Sequence, residues 1–513
     1  MANYVLGIDA GTESFRAGVF DTTGKCLGFG TSPNKTFYRH PGWAEQSPDD
    51  WDVALVECIR GALKESKVAP RDVRAIGIDG TSCTVVFLDA GGRPLRDAII
   101  WMDVRAHKEA AEVAATGDPA LRYVGHGNVS AEWFPCKTAW VKRNEPAVMQ
   151  AAQTVFEETD WLAFRLTGEK TINIDTATVR WFYNVNEGGI PVSLYNKMGL
   201  QELLPKIPRR VVRIGEVVGG LTKEMAQKTG LPAGIPIAGG GADAFVGVIG
   251  INALTVGTIA LITGSSQLQL GFTDREIHTQ GLFGSYPDAI LPGLQVIEAG
   301  QVSTGSVLRW FTAGFIGKGV ADEAARSGRS VYDLLDSQAA EIAPGSDGCI
   351  VLEHWQGNRT PWTDPLSRGV IRGLTLSHTP AHIYRAIMEG VAYGTEVIFR
   401  KMTQEGVHID RLVACGGATQ SDLWMQIMAD VGGKPITIPR EQQAVTLGSA
   451  IAATVAGGLH PDLVTAADCM VAVAKVVEPD MAAHARYAGM VDQYTETYEG
   501  LKEASHRLVK GMG

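Results

Sequence analysis

The stretch that most constrains this chain lies at its start. From Tyr4 to Asp21 two short apolar runs flank a bend built from Asp9, Gly11, Thr12, Glu13 and Ser14, which predicts a β-hairpin with a polar tip. Gly11 can take positive φ and lets a ligand approach the backbone. Thr12 and Ser14 bring hydroxyls and amides, and Asp9 a carboxylate, so such a tip can hold a phosphate and its magnesium. The pattern recurs from Thr258 to Phe272, where Gly264, Ser265 and Ser266 form the bend and Gln267 and Gln269 alternate with apolar residues. Either hairpin alone reads as an ordinary turn. Two of them opening two similar half-chains can grip a phosphate chain from both sides, provided the halves face each other across a cleft.

At 513 residues the chain is too long for one hydrophobic core and predicts several domains. Its 45% apolar and 20% charged residues are ordinary for a globular protein. The net charge of −10 argues against a nucleic acid or an anionic membrane as partner, because both need a basic surface. Seven scattered cysteines, at 26, 58, 83, 136, 349, 415 and 469, form no C-x-x-C pair and read as reduced thiols of a cytoplasmic protein. The start of the chain lacks the basic and apolar regions of a signal peptide. The most apolar late stretch, Val445 to Leu459, is interrupted by Gly448, Ser449, Gly457 and Gly458 and is too short to span a bilayer.

Between the hairpins, Ser47-Pro48-Asp49-Asp50 predicts a capped helix start, with Val53, Leu55, Val56, Ile59 and Leu63 as its buried stripe. A strand from Val73 to Asp79 leads into Gly80-Thr81-Ser82-Cys83 and a second strand from Thr84 to Leu88. Strands alternating with helices indicate an α/β domain, in which loops leaving strand ends bind ligands. Ser82 and Cys83 are therefore candidates, with plain turn chemistry as the alternative. Trp101, Asp103 and Arg105 follow an apolar strand and suit a polyhydroxylated sugar, the indole covering C–H surface and the charged pair meeting hydroxyls; a structural Asp103–Arg105 pair is the other reading. Glu132 and Trp133 precede a largely helical region reaching Gly168, and Asp175 to Thr178 reads as a polar loop.

The chemical candidate is Asp243. It follows Gly239-Gly240-Gly241, where bare backbone lets a ligand crowd the strand end, and stands at a predicted helix start. It reads as a general base or as an N-cap. A dinucleotide fingerprint at Gly239-x-Gly241-x-x-Ala244 fits poorly, with no acidic residue about 20 residues on to take a ribose. In the second half, Gly300 to Phe311 predicts a capped helix, Gly357 to Trp362 a polar loop, and Thr379-Pro380 a long helix start. At Cys415-Gly416-Gly417 a strand meets a glycine pair before a helix, where a base or ribose could rest. No Walker-type or protein-kinase motif occurs, so a nucleotide site here must use hairpins.

Together these residues resemble the FGGY family of carbohydrate kinases. The most specific part is Gly369-Val370-Ile371-Arg372-Gly373-Leu374, then seven residues, then His382 to Glu389, which fits the family's carboxy-terminal signature throughout. The amino-terminal signature is met in part: Lys137 and Trp140 stand at its spacing, whereas Phe134 and Thr138 depart from it. The resemblance implies an α/β fold of two ribonuclease-H-like domains, of the actin/hexokinase/Hsp70 type, around a central cleft. Its spans would be residues 1–250, 257–460 and a helical segment over 461–513. It implies ATP and Mg2+, with the metal on Asp9, phosphate contacts at Gly11, Thr12, Arg16, Gly264, Ser265 and Ser266, and adenosine contacts at Gly305, Gly416, Gly417 and Ser421. Asp243 would be the base and a substrate contact.

Ser82, Cys83, Trp101, Asp103 and Glu132 would complete the substrate pocket, and the loops carrying them, with Gly357 to Pro361, look more like pentulose kinases than glycerol kinases. The expected activity is phosphorylation of the terminal hydroxyl of a ketopentose, ribulose or xylulose. A kinase of a pentitol, erythritol or glycerol is the alternative on the same fold. A non-catalytic nucleotide sensor and an NAD-dependent polyol dehydrogenase are the readings from other classes. The partner expected is a small sugar, with a homodimer left open.

Overall fold

Residues 3–125 and 129–511 are described by the computed structural model, so the outermost residues of the expected 1–250 and 461–513 spans lie outside the described residues. The first hairpin forms as Tyr4–Ala10 and Ser14–Asp21, with Asp9 opposite Arg16. Tyr4–Ala10 also pairs in parallel with Val73–Gly80, which sets Asp9 beside Asp79. The second hairpin, Gly257–Thr263 and Gln267–Thr273, repeats the arrangement: its first strand pairs in parallel with Ile409–Gly416 and sets Thr263 beside Gly416.

The repetition extends across both sheets. In the first the order is Cys26–Pro33, Ser14–Asp21, Tyr4–Ala10, Val73–Gly80 and Pro236–Ala238, with Val217–Gly220 at the edge. In the second it is Gln295–Gln301, Gln267–Thr273, Gly257–Thr263, Ile409–Gly416 and Ile436–Pro439, flanked by Phe283–Pro287 and Val473–Val477. These are two copies of one α/β plan, each with a hairpin at its centre. The last of these strands lies in the 461–513 stretch that the resemblance made wholly helical.

Alternation along Tyr4–Ala10 explains how the layers stack. Leu6 and Ile8 point to one face and share a core with Trp51 and Leu55 of the Pro48–Ser66 helix, while Val5 points to the other and joins Leu447 and Ala450 of the Ala444–Ala456 helix. The second helix comes from the far half of the chain and lies so close that a Cβ on Gly77 would sit 1.8 Å from the Ser449 carbonyl oxygen. The interrupted apolar run at Val445 is thus a helix sealing the seam between the halves. On the Pro48–Ser66 helix the buried stripe is Trp51, Leu55, Cys58, Ile59, Ala62 and Leu63; Val53 faces solvent, and Ser47 occupies the N-cap without a side-chain cap bond.

Two other expectations are corrected and a third is refined. Asp175 to Thr178 form the Ile174–Arg180 helix, capped by the Asn173 side chain, and Asp175 is buried there. The region before Gly168 is largely helical as expected, the refinement being the short strand Thr154–Glu157 between its helices. The helix expected from Gly300 begins at Gly305, because Gly300 and Gln301 end a strand, and its N-cap Thr304 makes no side-chain cap bond.

Candidate active site

The tip of the second hairpin opens onto a cleft of about 380 Å³, and none of Asp9 to Ser14 of the first tip is among the residues lining it. From the first half it is lined by Thr81, Ser82, Cys83, Trp101, Glu132, Arg180 and Asp243, and from the second by Thr263 to Leu268, Glu298 and Arg359. A second cavity, about 440 Å³, continues from it over Gly264 and Ser265 and is lined by Gly305, Tyr332, Asp336, Tyr384, Gly417, Ser421 and Trp424. The second hairpin tip therefore forms the sill between two chambers.

Each tip is closed by one backbone bond, Gly11 N–H to the Ser14 carbonyl at 3.2 Å and Gly264 N–H to the Ser266 carbonyl at 2.8 Å. The Thr12, Ser265 and Ser266 amides have no partner among the described residues. Gly11 does not use the positive φ open to it, and Gly264 takes none either. What glycine supplies at position 11 is room, since a Cβ there would lie 3.1 Å from the Ser14 carbonyl oxygen. The first tip is joined to the cleft by Trp101, whose indole N–H donates to Thr12 Oγ1 at 2.9 Å. Glu13 is exposed.

Behind the tip, Arg16 Nη1 lies 3.2 Å from Asp9 Oδ2. Burial raises the Asp9 carboxyl above its ordinary pKa, against the pull of Arg16. Asp79, fully buried beside it, is raised well above the carboxylate range by burial and by the Asp9 charge; Ser449 donates to its Oδ2 at 2.6 Å, and its Oδ1 has no partner.

Asp243 is half-buried at the first residue of the Asp243–Gly250 helix, with Ala242 in the N-cap position and its own Oδ1 accepting from the Ala244 amide at 2.6 Å. Burial and then the Asp9 charge push its carboxyl up to about 6, against the Ala244 amide and Arg180. The glycines before it do not cradle a ligand. A Cβ on Gly240 would lie 1.9 Å from the Ile78 carbonyl oxygen, and one on Gly239 would lie 2.4 Å from that of Arg213. They bring the strand end against its neighbours, which removes the backbone space a dinucleotide would need.

Arg180 and Glu298 are cleft residues to which sequence reasoning assigns no role, and Arg359 comes from the polar loop over residues 357–362. Arg180 crosses the seam to grip Glu298 with two nitrogens, at 3.1 and 3.2 Å, and Arg359 adds a third contact at 3.1 Å. Burial alone would raise the Glu298 carboxyl, but the two guanidiniums outweigh it and hold it below its ordinary value. The available signal was a lone acid inside the apolar strand Val296-Ile297-Glu298-Ala299.

Asp103 is not in the cleft. It is fully buried, with Arg105 on both carboxylate oxygens at 2.7–3.0 Å and the Ala44 amide on Oδ2 at 2.6 Å, while Arg105 lies over the Trp43 ring. The charged pair is structural, and only Trp101 of that trio reaches the pocket. Gly416, at φ +94°, shapes the turn against Thr263 without lining the second cavity, and the Ser421 hydroxyl accepts from the Trp424 amide as a helix cap.

The family model described as "FGGY family of carbohydrate kinases, N-terminal domain" matches residues 4–250, and its C-terminal counterpart matches residues 257–457. A ribulokinase of Geobacillus thermodenitrificans is 31% identical, over 99% of this chain and 96% of that protein. A ribulokinase of Bacillus licheniformis is 34% identical over 81% of this chain and 79% of that protein. Among solved structures, xylulose kinase from Rhodospirillum rubrum superimposes with a TM-score of 0.87 at 28% identity, covering 98% of this chain and all of that one.

Proposed function

The chain belongs to the FGGY family of carbohydrate kinases, and from that premise we propose that it transfers the terminal phosphoryl group of ATP to the terminal hydroxyl of a ketopentose, ribulose or xylulose. The observation that carries this reading is the sill at Gly264 and Ser265, which joins a cleft holding Asp243 to a cavity able to take a nucleoside. The names of the relatives support the pentulose.

In this reading Asp243 accepts the proton of the attacking hydroxyl, and Arg180 beside it favours the ionised form. Ser82, Glu132 and Trp101 hold the sugar. Amides at Thr12, Ser265 and Ser266 meet the charge that develops on the phosphoryl oxygens, and approach of the two halves excludes water as a competing acceptor. Asp9 fits magnesium: it is a carboxylate at the first tip with an orphaned Asp79 oxygen behind it, and magnesium takes few protein ligands when phosphates supply the rest. Magnesium held there would supply positive charge to offset that of the phosphates. Seven free cysteines support a reducing, cytoplasmic setting.

A coupled ADP-release screen over ketopentoses, pentitols, erythritol and glycerol tests the proposal. The highest kcat/KM is expected on a ketopentose. Activity confined to polyols would move the substrate, and NAD reduction without ADP release would overturn the kinase.

A further prediction concerns Gly305, whose added Cβ would lie 2.5 Å from the Gly264 carbonyl oxygen. Gly305→Ala must push the sill aside. Over-packing of this kind costs about 1–3 kcal/mol, so ATP affinity by calorimetry is expected to fall roughly tenfold, and an unchanged affinity would remove the hairpin from the nucleotide site.

A further inference from the structure

The cleft is bounded by two loops from different parts of the chain, one carrying Ser82 and Cys83, the other Trp101. Between them, fully buried on the Phe134–Asn144 helix, lies Lys137. Its ammonium donates to the Cys83 carbonyl at 2.5 Å and the Ile100 carbonyl at 2.8 Å, with the Ile99 carbonyl at 3.5 Å. Among the described residues no carboxylate lies within ion-pair distance of it, and Glu132, Asp103 and Glu157 act on it only through space. An ammonium taken out of water without a counter-ion is unfavourable for folding, and an apolar side chain of its size would fill the same space. Its placement therefore points to what it holds.

The held groups are the backbone carbonyl of a cleft residue, Cys83, and those preceding another, Trp101. Cys83 is a non-glycine residue at φ +62°, in the left-handed region that side chains seldom occupy, and such outliers persist only where their surroundings over-determine them. The Cys83 N–H donates to Glu157 Oε2 at 2.8 Å, and Glu157 is itself fixed by the Trp181 indole N–H at 2.7 Å. Lys137 holds the carbonyl of the same residue. On the loop's other flank, the Thr81 amide donates to Glu158 at 3.1 Å. These bonds leave the Ser82 amide and hydroxyl without a protein partner among the described residues, at the cleft wall. On the second loop, holding Ile100 fixes the start of Trp101, which both lines the cleft and reaches Thr12.

We infer that Lys137 is a positioning residue of the acceptor pocket: its three donors staple the Cys83 and Ile99–Ile100 carbonyls, and so set the spacing between the Ser82 donors and the Trp101 indole that a sugar must span. The inference rests on the cleft being the sugar site. No residue of the staple lines the nucleotide cavity, and its one link to the phosphate tip runs through Trp101 and Thr12.

The test is steady-state kinetics of Lys137→Met and Lys137→Arg, with the sugar that the wild type turns over best. Misplacement by about an ångström costs up to roughly a hundredfold in such sites, so the sugar KM is expected to rise at least about tenfold. The ATP KM should change much less than the sugar KM, because the staple reaches the phosphate tip only through Trp101 and Thr12. Lys137→Met, lacking a buried charge, should melt no lower than the wild type. Lys137→Arg keeps the charge but widens the fork, and serves if the Met variant does not fold. An unchanged sugar KM in either folded variant overturns the staple while leaving the kinase reading intact. Equal losses in sugar and ATP KM also overturn it, because they would mark general loosening. No sugar turnover by the wild type would overturn the pocket reading and the staple together.

Discussion

Asp243→Asn is expected to lose roughly 10²–10⁴-fold in kcat for sugar phosphorylation, with sugar and ATP dissociation constants close to those of the wild type. The amide keeps the size of the side chain and its place at the helix start but cannot take a proton. The size of the loss follows from what a positioned base contributes when alignment and charge stabilisation remain in place. The pH profile gives an independent reading. Burial and the neighbouring Asp9 charge raise the Asp243 carboxyl to about 6. The base acts only when ionised, so wild-type kcat/KM should be level above that pH and fall about tenfold per unit below it. The acid limb should vanish in the Asn variant. Turnover near the wild-type rate would refute the assignment, and so would a limb that survives the substitution.

Glu298→Leu should show the largest effect on stability. Glu298 is buried, takes two bonds from Arg180 across the seam between the halves and one from Arg359 of its own half. Removing one partner of a buried pair strands the other, at a cost of about 3–5 kcal/mol. Arg180 is the group stranded, its side chain only 11% exposed, whereas Arg359 at 36% can turn to water. The Leu variant should therefore unfold at lower urea. The double change Arg180→Met with Glu298→Leu should recover most of the loss, because it leaves no buried charge unpaired. Both variants should bind sugar poorly, since both alter the same cleft wall. A single variant as stable as the wild type would mean that the pair contributes nothing to joining the halves.

How far the sequence reached depended on whether a signal was local. The hairpins, the strand at Val73, the helix start at Asp243 and the long helix from Pro380 were legible from alternation, capping and turn chemistry, all within a few residues. Asp175 was read as part of a polar loop because Asp-Thr-Ala-Thr looks solvated; it is buried, with Oδ1 accepting from the Ala242 amide at 2.7 Å, a partner 67 residues away. Val53 was placed in a buried stripe because apolar character does not say which side of a helix meets the sheet. A Trp-x-Asp-x-Arg run leaves open whether Asp103 and Arg105 face a sugar or each other, and only the folded chain shows that they face each other.

From the order of residues alone came the duplicated hairpin, the α/β class, the family resemblance and the choice of Asp243, since each is written in neighbouring positions whose backbone preferences and periodicity are intrinsic. Only the folded chain decided which acids meet solvent, which cross the seam and which loops are stapled. Arg180 and Glu298 are 118 residues apart and Lys137 and Cys83 are 54 apart. Their interactions exist because two sheets and the Ala444–Ala456 helix bring those positions within hydrogen-bond reach and exclude water from them, and no local pattern records that proximity.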